Sequence, residues 1–271
     1  MKHPAAKALF FLWIIALAAP SRAVAEYSLT LWDVPVTVSA AAISIWGNVL
    51  YRGMDVPASE DMVGQSDLLP WDKPVAGRYS EFADNLSDGF SVLALAPFVF
   101  GGVAWHKGDT DGKGFAGLAL MYVQALAIQN GLNYMARSLQ LWPRPYMYAK
   151  EGDGAEAAAK AEREGKGEAY GSFFSGHASA AFTVAVFTSE WFSETYPDSP
   201  YKGIVWASSL SLAGLVGALR VAAGKHYPSD VVVGALVGTG VSLAILRLHE
   251  KSAKSVSFCA GPGFLGLNIP F

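Results

Sequence analysis

Two histidines, three arginines and an aspartate are spaced in this chain as a phosphate-handling set. Arg137 and Arg144 are separated by six residues, and Pro143 and Pro145 flank the second. Ser175-Gly176-His177 opens an apolar run, and Arg220 is followed by His226 and then Asp230. Guanidinium groups stay charged and carry forked donors that match phosphate oxygens. A small Ser-Gly pair at a helix start offers a hydroxyl and main-chain N–H groups to an anion. A carboxylate that holds Nδ1–H of a histidine leaves Nε2 as nucleophile or base, so Asp230 is expected to orient His226. The chemistry that these residue types imply is the attack on a phosphate ester.

Each feature alone has a plainer use. Arg137 and Arg144 fit a membrane-interface pair that reaches lipid headgroups. Ser175 fits a helix N-cap, and Asp230 a first-turn acid favoured by the helix dipole. His226 fits an interfacial histidine with no catalytic part. Together they would need unrelated explanations to bring six such residues to the ends of apolar helices.

The elements that must position them are apolar helices, expected over residues 90–105, 115–139, 177–192, 204–222 and 231–248. Several approach the roughly 20 residues needed to cross a hydrocarbon core, and their Gly, Ala and Ser content suits close packing in lipid. The fold class expected is all-α, a membrane-embedded bundle of about five or six helices; a soluble helical bundle is the alternative. Residues 1–25 read as a signal peptide or signal anchor, with Lys2 and Lys7 before an apolar stretch and Ala23-Val24-Ala25 as a cleavage site. Residues 26–88 hold a moderately apolar stretch at 35–51 and then an acidic connection, in which 79–86 could form a short interfacial helix. The catalytic domain is placed at 89–250 and a tail of strand-like or irregular character at 251–271. The charged segment 150–168 reads as a solvated, partly helical excursion.

Orientation follows from parity. If Glu26 is outside and the stretch at 35–51 does not cross, the site faces outward, the periplasmic side of a bacterial inner membrane. Arg247, Lys251 and Lys254 then lie inside, as the positive-inside rule prefers. If that stretch crosses, every later segment inverts.

Composition agrees with a membrane setting. Hydrophobic residues make up 52% of the 271 and charged residues 16%, a pairing unusual in soluble domains. A net charge of -3 without any basic stretch argues against a nucleic-acid partner. The one cysteine, Cys259, excludes an intrachain disulfide and a cysteine-rich zinc site.

Arg-x6-Arg-Pro, Ser-Gly-His and Arg-x5-His-x3-Asp, in this order, resemble the three-part signature of the type 2 phosphatidic acid phosphatase (PAP2) superfamily. That group includes membrane lipid phosphatases, soluble acid phosphatases and vanadium haloperoxidases. The resemblance implies a PAP2/chloroperoxidase-like helical core and a metal-independent reaction without cofactor. His226 would form a phosphohistidine and Asp230 orient it, while His177 serves as acid and then base. Arg137, Arg144, Arg220, Ser175 and main-chain Gly176 would hold the phosphate oxygens. The implied partners are a phosphorylated membrane lipid and the bilayer. A secreted acid phosphatase or a vanadium haloperoxidase would use the same site. The sequence departs from the signature at Arg137, where lysine is usual, at Phe174 in place of proline, and at Leu219 in place of serine.

Overall fold

The computed structural model describes residues 33–57 and 63–249 together with the strands Ser257–Gly261 and Phe264–Asn268. The expected leader at 1–25 lies outside the described residues. Long helices in alternating direction form the body, and their chemistry-bearing ends gather at one face.

Helix α1 (Asp33–Arg52) has an acid in its first turn and a base in its last, as the helix dipole favours. A polar segment with short 3-10 turns leads to α2 (Glu81–Gly89), capped by Ser80, whose side chain accepts from Ala83 N. The chain continues through a 3-10 stretch (Phe90–Leu95) into α3 (Ala96–Lys107). An α-helix was expected from residue 90. Pro97 cannot donate to the ladder and so sits in the first turn of α3, leaving the preceding stretch in the tighter form. Helix α3 stops at Gly108, which takes the left-handed conformation (φ 76°) that lacks a Cβ penalty.

Helix α4 (Gly112–Ser138) is followed by the excursion, which is more ordered than expected. Its α5 (Gly152–Arg163) buries Ala158 and Ala161 against Tyr146 and Tyr170, a small core of its own. Helices α6 (Gly176–Thr195), α7 (Lys202–Ala222) and α8 (Pro228–His249) complete the bundle. The tail strands β1 (Ser257–Gly261) and β2 (Phe264–Asn268) pair antiparallel, Ser257 opposite Asn268.

Helix α6 runs through the middle, packed on α3, α4, α7 and α8. Its Phe187 and Phe192 interlock with Tyr122 of α4 and Phe100 of α3 in the main core. Among the described residues, five segments are long and apolar enough to cross a membrane: α1, Glu81–Lys107, α4, α7 and α8. Helix α6 is not among them, in keeping with the many Ser and Thr residues it buries. Outward-facing Val38, Ile45 and Trp46 on α1 and Val232 and Leu236 on α8 give the bundle an apolar exterior.

The stretch at 35–51 is therefore a full helix, and it lies parallel to α4. Thr37 meets Gln124, Gly47 meets Gly131, and the Tyr51 and Tyr134 rings stack 4.9 Å apart, so both helices advance together. The backbones touch at the two glycines, where a Cβ on Gly131 would sit 2.6 Å from the Ile43 carbonyl. Close approach through small residues is how helices associate in lipid. By the parity argument this puts the site at the opposite end of the bundle from Asp33.

Gly131→Leu is expected to separate α1 from α4 and to destabilise the protein by about 1–3 kcal/mol, the usual range for overpacking. A lowered melting temperature in detergent checks this; no change would mean that α1 is not seated there.

Candidate active site

His226 lies between α7 and α8 with 2% of its surface exposed. Its Nδ1 is 2.9 Å from the backbone oxygen of Ser172. A carbonyl oxygen only accepts, so Nδ1 carries the proton and Nε2 keeps its lone pair. Burial pushes the imidazole well below its ordinary pKa, and Arg144, Arg220 and Arg137 push the same way. A neutral ring with a free Nε2 is the form a nucleophile needs.

Asp230 was expected to hold that ring directly. The structure corrects this: its Oδ2 lies 3.6 Å from His226 Nδ1, beyond hydrogen-bond distance. The carboxylate instead accepts from Ser172 Oγ (2.6 Å), Tyr227 N (3.0 Å) and Trp142 Nε1 (3.2 Å). Asp230 thus fixes the loop that supplies the carbonyl, and Ser172 is the link between acid and imidazole. The i, i+4 spacing brought the two residues close, yet the hydrogen bond goes to a backbone atom that no motif displays.

The three arginines are unequally engaged. Arg137, at the end of α4, donates from Nε to Gly171 O (3.0 Å) and from Nη2 to Glu168 O (3.3 Å). Its guanidinium also lies 4.5 Å from the centre of the Tyr51 ring. The folded excursion therefore supports the site by presenting carbonyls to Arg137. Arg144 follows α4 on the loop, and its buried Nε has no hydrogen-bond partner among the described residues. Arg220 Nη1 meets Asp84 Oδ1 (2.8 Å), Asp88 Oδ1 (3.0 Å) and Ser87 Oγ (3.0 Å), all on α2.

His177 stands in the first turn of α6, its Nε2 3.0 Å from Asp88 Oδ1. In the sequence nothing but spacing sets Asp84, Ser87 and Asp88 apart from the rest of the polar, acidic connection. Their spacing places them on one side of a short helix, and that was the available signal. The hydroxyl missing at Leu219 is matched by Ser87 from a distant segment, while Leu219 itself packs against the apolar group of Phe90, Leu93 and Val216.

Ser175 takes its plainer role. It is fully buried, and its Oγ accepts from Ala178 N (3.3 Å) as the N-cap of α6. Gly176 is needed for space, because a Cβ there would come within 2.7 Å of Asn133 Oδ1. Asn133 Nδ2 in turn donates to Phe174 O (2.6 Å), which anchors the turn ahead of α6. Asn133 carried no sequence signal.

Arg137, Arg144, Arg220, Gly176, His177 and His226 line one cavity of about 240 Å3. Ser175 and Asp230 stand behind it. Among the described residues no three or more His, Cys, Asp or Glu side chains gather as a metal-ligand set. The lining can bind a compact polyanion through guanidiniums and a helix N-terminus, with two imidazoles at its edge.

Two measurements test these placements. Ser175→Ala is expected to cost about 1 kcal/mol of stability by loss of the cap while leaving substrate affinity nearly unchanged; a large rise in KM without destabilisation would return the hydroxyl to the phosphate. Arg144→Ala removes a positive neighbour of His226, so the ring's pKa rises. The acid limb of kcat/KM for a soluble phosphate ester is then expected to move to higher pH, and a limb that stays or moves down contradicts the electrostatics.

The family model for the PAP2 superfamily matches residues 118–254, from α4 past the end of α8. No curated protein and no solved structure matches the chain. The match spans half of the sequence and all three segments that meet at the cavity, so the chain belongs to the PAP2 superfamily.

Proposed function

We infer from membership in the superfamily that the chain hydrolyses phosphate esters. We propose, more specifically, a lipid phosphate phosphatase that works through a phosphohistidine and without a metal ion. The convergence of two imidazoles and three guanidiniums on one cavity carries this reading. Burial and Arg220 push the His177 pKa down to about 4 in the free protein, and the bound phosphate dianion draws the ring into its protonated form. His226 Nε2 attacks phosphorus, and the P–O bond to the leaving group breaks as protonated His177 gives its proton to the departing alkoxide. His177, now neutral, takes a proton from water, whose oxygen attacks phosphorus. The P–N bond breaks, freeing orthophosphate and His226. The arginines and Gly176 N–H stabilise the oxygens on which charge is concentrated throughout.

The lipid part of the proposal draws on a second cavity. It measures about 120 Å3 and lies among the 3-10 stretch, α6 and α7. Phe90, Leu93, Val184 and Leu212 line it, and it shares Ser91, His177 and Ala180 with the polar cavity. A hydrocarbon chain held there would place its phosphate at the arginines.

We take the site to face the periplasm of a bacterial inner membrane. Lys107, Lys202 and Arg247 then mark the cytoplasmic end of the bundle. With α1 crossing, this orientation puts Asp33 on the cytoplasmic side, which departs from the parity that a crossing stretch at 35–51 gives when Glu26 is outside. Impermeant thiol labelling of a Cys259→Ala protein with single cysteines at 150 or at 202 in whole cells tests the orientation. Labelling at 150 alone is expected, and labelling at 202 alone reverses it.

Detergent-purified protein in EDTA is expected to release phosphate from phosphorylated lipids, and His177→Ala and His226→Ala to lower kcat by at least about a hundredfold. Folded wild-type protein that releases none, or a His226→Ala variant as fast as wild type, would remove the assignment.

A further inference from the structure

Asp88 has no part in the mechanism above, yet it touches two of the groups that do. It stands at the end of α2, outside the residues that the family model matches. A single oxygen, Oδ1, lies 3.0 Å from His177 Nε2 and 3.0 Å from Arg220 Nη1. One of these groups is assigned to the leaving oxygen and the other to a phosphoryl oxygen. An anionic oxygen held between an imidazole and a guanidinium is what a phosphate ester itself would present there.

Asp84 and Asp88 are not equivalent. Asp84 is engaged on both oxygens, by Arg220 Nη1 and by Lys225 Nζ at 2.8 Å each, and its side chain is 18% exposed. The side chain of Asp88 is 58% exposed. A carboxylate at the end of a helix also gains nothing from the helix dipole. Asp84 is built in as a fixed partner, whereas Asp88 has solvent to move into.

Resting on the phosphatase reading, we propose that Asp88 is an internal competitor for phosphate that determines specificity. Its carboxylate holds Arg220 and His177 and must yield before a phosphoryl group is bound. Free orthophosphate and small phosphate esters have only charge with which to displace it, and a tethered competitor acts at high effective concentration. An ester with a hydrocarbon chain also buries apolar surface. That chain enters the cavity lined by Ser87, Phe90 and Leu93, which belong to the same continuous segment as Asp88. Chain binding and carboxylate displacement therefore act on one piece of structure. The site is selective for amphiphilic phosphate esters, and the released orthophosphate is a poor inhibitor.

The test uses the full chain purified in detergent, as wild type, Asp88→Asn and Asp88→Ala. Orthophosphate binding is measured by titration calorimetry. Turnover is measured on p-nitrophenyl phosphate and on phosphatidic acid in mixed micelles. Both variants are expected to bind orthophosphate about tenfold more tightly, the gain from removing one charged competitor. kcat/KM for p-nitrophenyl phosphate is expected to rise by a similar factor and that for phosphatidic acid by less, so the preference for lipid narrows. Unchanged or weaker orthophosphate binding overturns the proposal. A fall in kcat on both substrates with a displaced alkaline limb also overturns it, and makes Asp88 a positioning residue for His177. Wild type and variants that bind orthophosphate as proposed but turn over neither substrate would leave this inference standing and remove the phosphatase reading. No orthophosphate binding by any of the three proteins removes both.

Discussion

Three guanidiniums around one cavity at the end of an apolar bundle repel one another, and burial raises the cost of each charge. Much of the surrounding structure answers that constraint. Arg137 is stabilised by two main-chain carbonyls and the face of Tyr51, none of which carries a formal charge. Arg220 is neutralised by Asp84 and Asp88 on α2. Arg144, like Arg220, keeps a buried Nε without a hydrogen-bond partner among the described residues. The field of the cluster is thus concentrated where a substrate oxygen can use it, and burial together with that field keeps His226 neutral. The folded excursion and the acidic connection both exist within this balance, although neither contributes a residue to the motifs.

The fold was legible where hydropathy runs long. The segments of α4, α7 and α8 could be read to within a few residues because between their end turns they carry no charged residue. Helix α1 was harder, since the Ser and Thr residues that dilute its hydropathy sit on a helix whose seat is made by Gly47 and Gly131. A sequence shows that a glycine is present, not that another glycine faces it. The 3-10 stretch before α3 needed the position of Pro97 within a turn, which hydropathy does not give.

The site was legible at the level of which residues meet and less so at the level of how. His177, His226 and the three arginines do line one cavity. Ser175 and Asp230 act from behind it, and the difference turns on hydrogen bonds to main-chain atoms. Ser172 O receives the His226 proton, and Ala178 N occupies the Ser175 hydroxyl. Such atoms are the same in every residue type, so residue identity cannot announce them. Asp84 and Asp88 escaped notice for another reason: an acidic run reads as solvated unless its partners, more than 130 positions away in Arg220, are known.

The Asp230 network has a bearing on biogenesis. Ser172 Oγ and Ser175 N both reach Asp230, the first by its carboxylate and the second by its main-chain oxygen. These pairs join the turn before α6 to the first turn of α8, the last long helix of the bundle. Until α8 has been inserted and docked, Ser172 has no carboxylate to fix it and His226 has no carbonyl held in place for its ring. A chain without a docked α8 therefore has its arginines but no fixed orientation for the His226 ring. On the proposed function, hydrolytic competence arrives only with completion of the bundle.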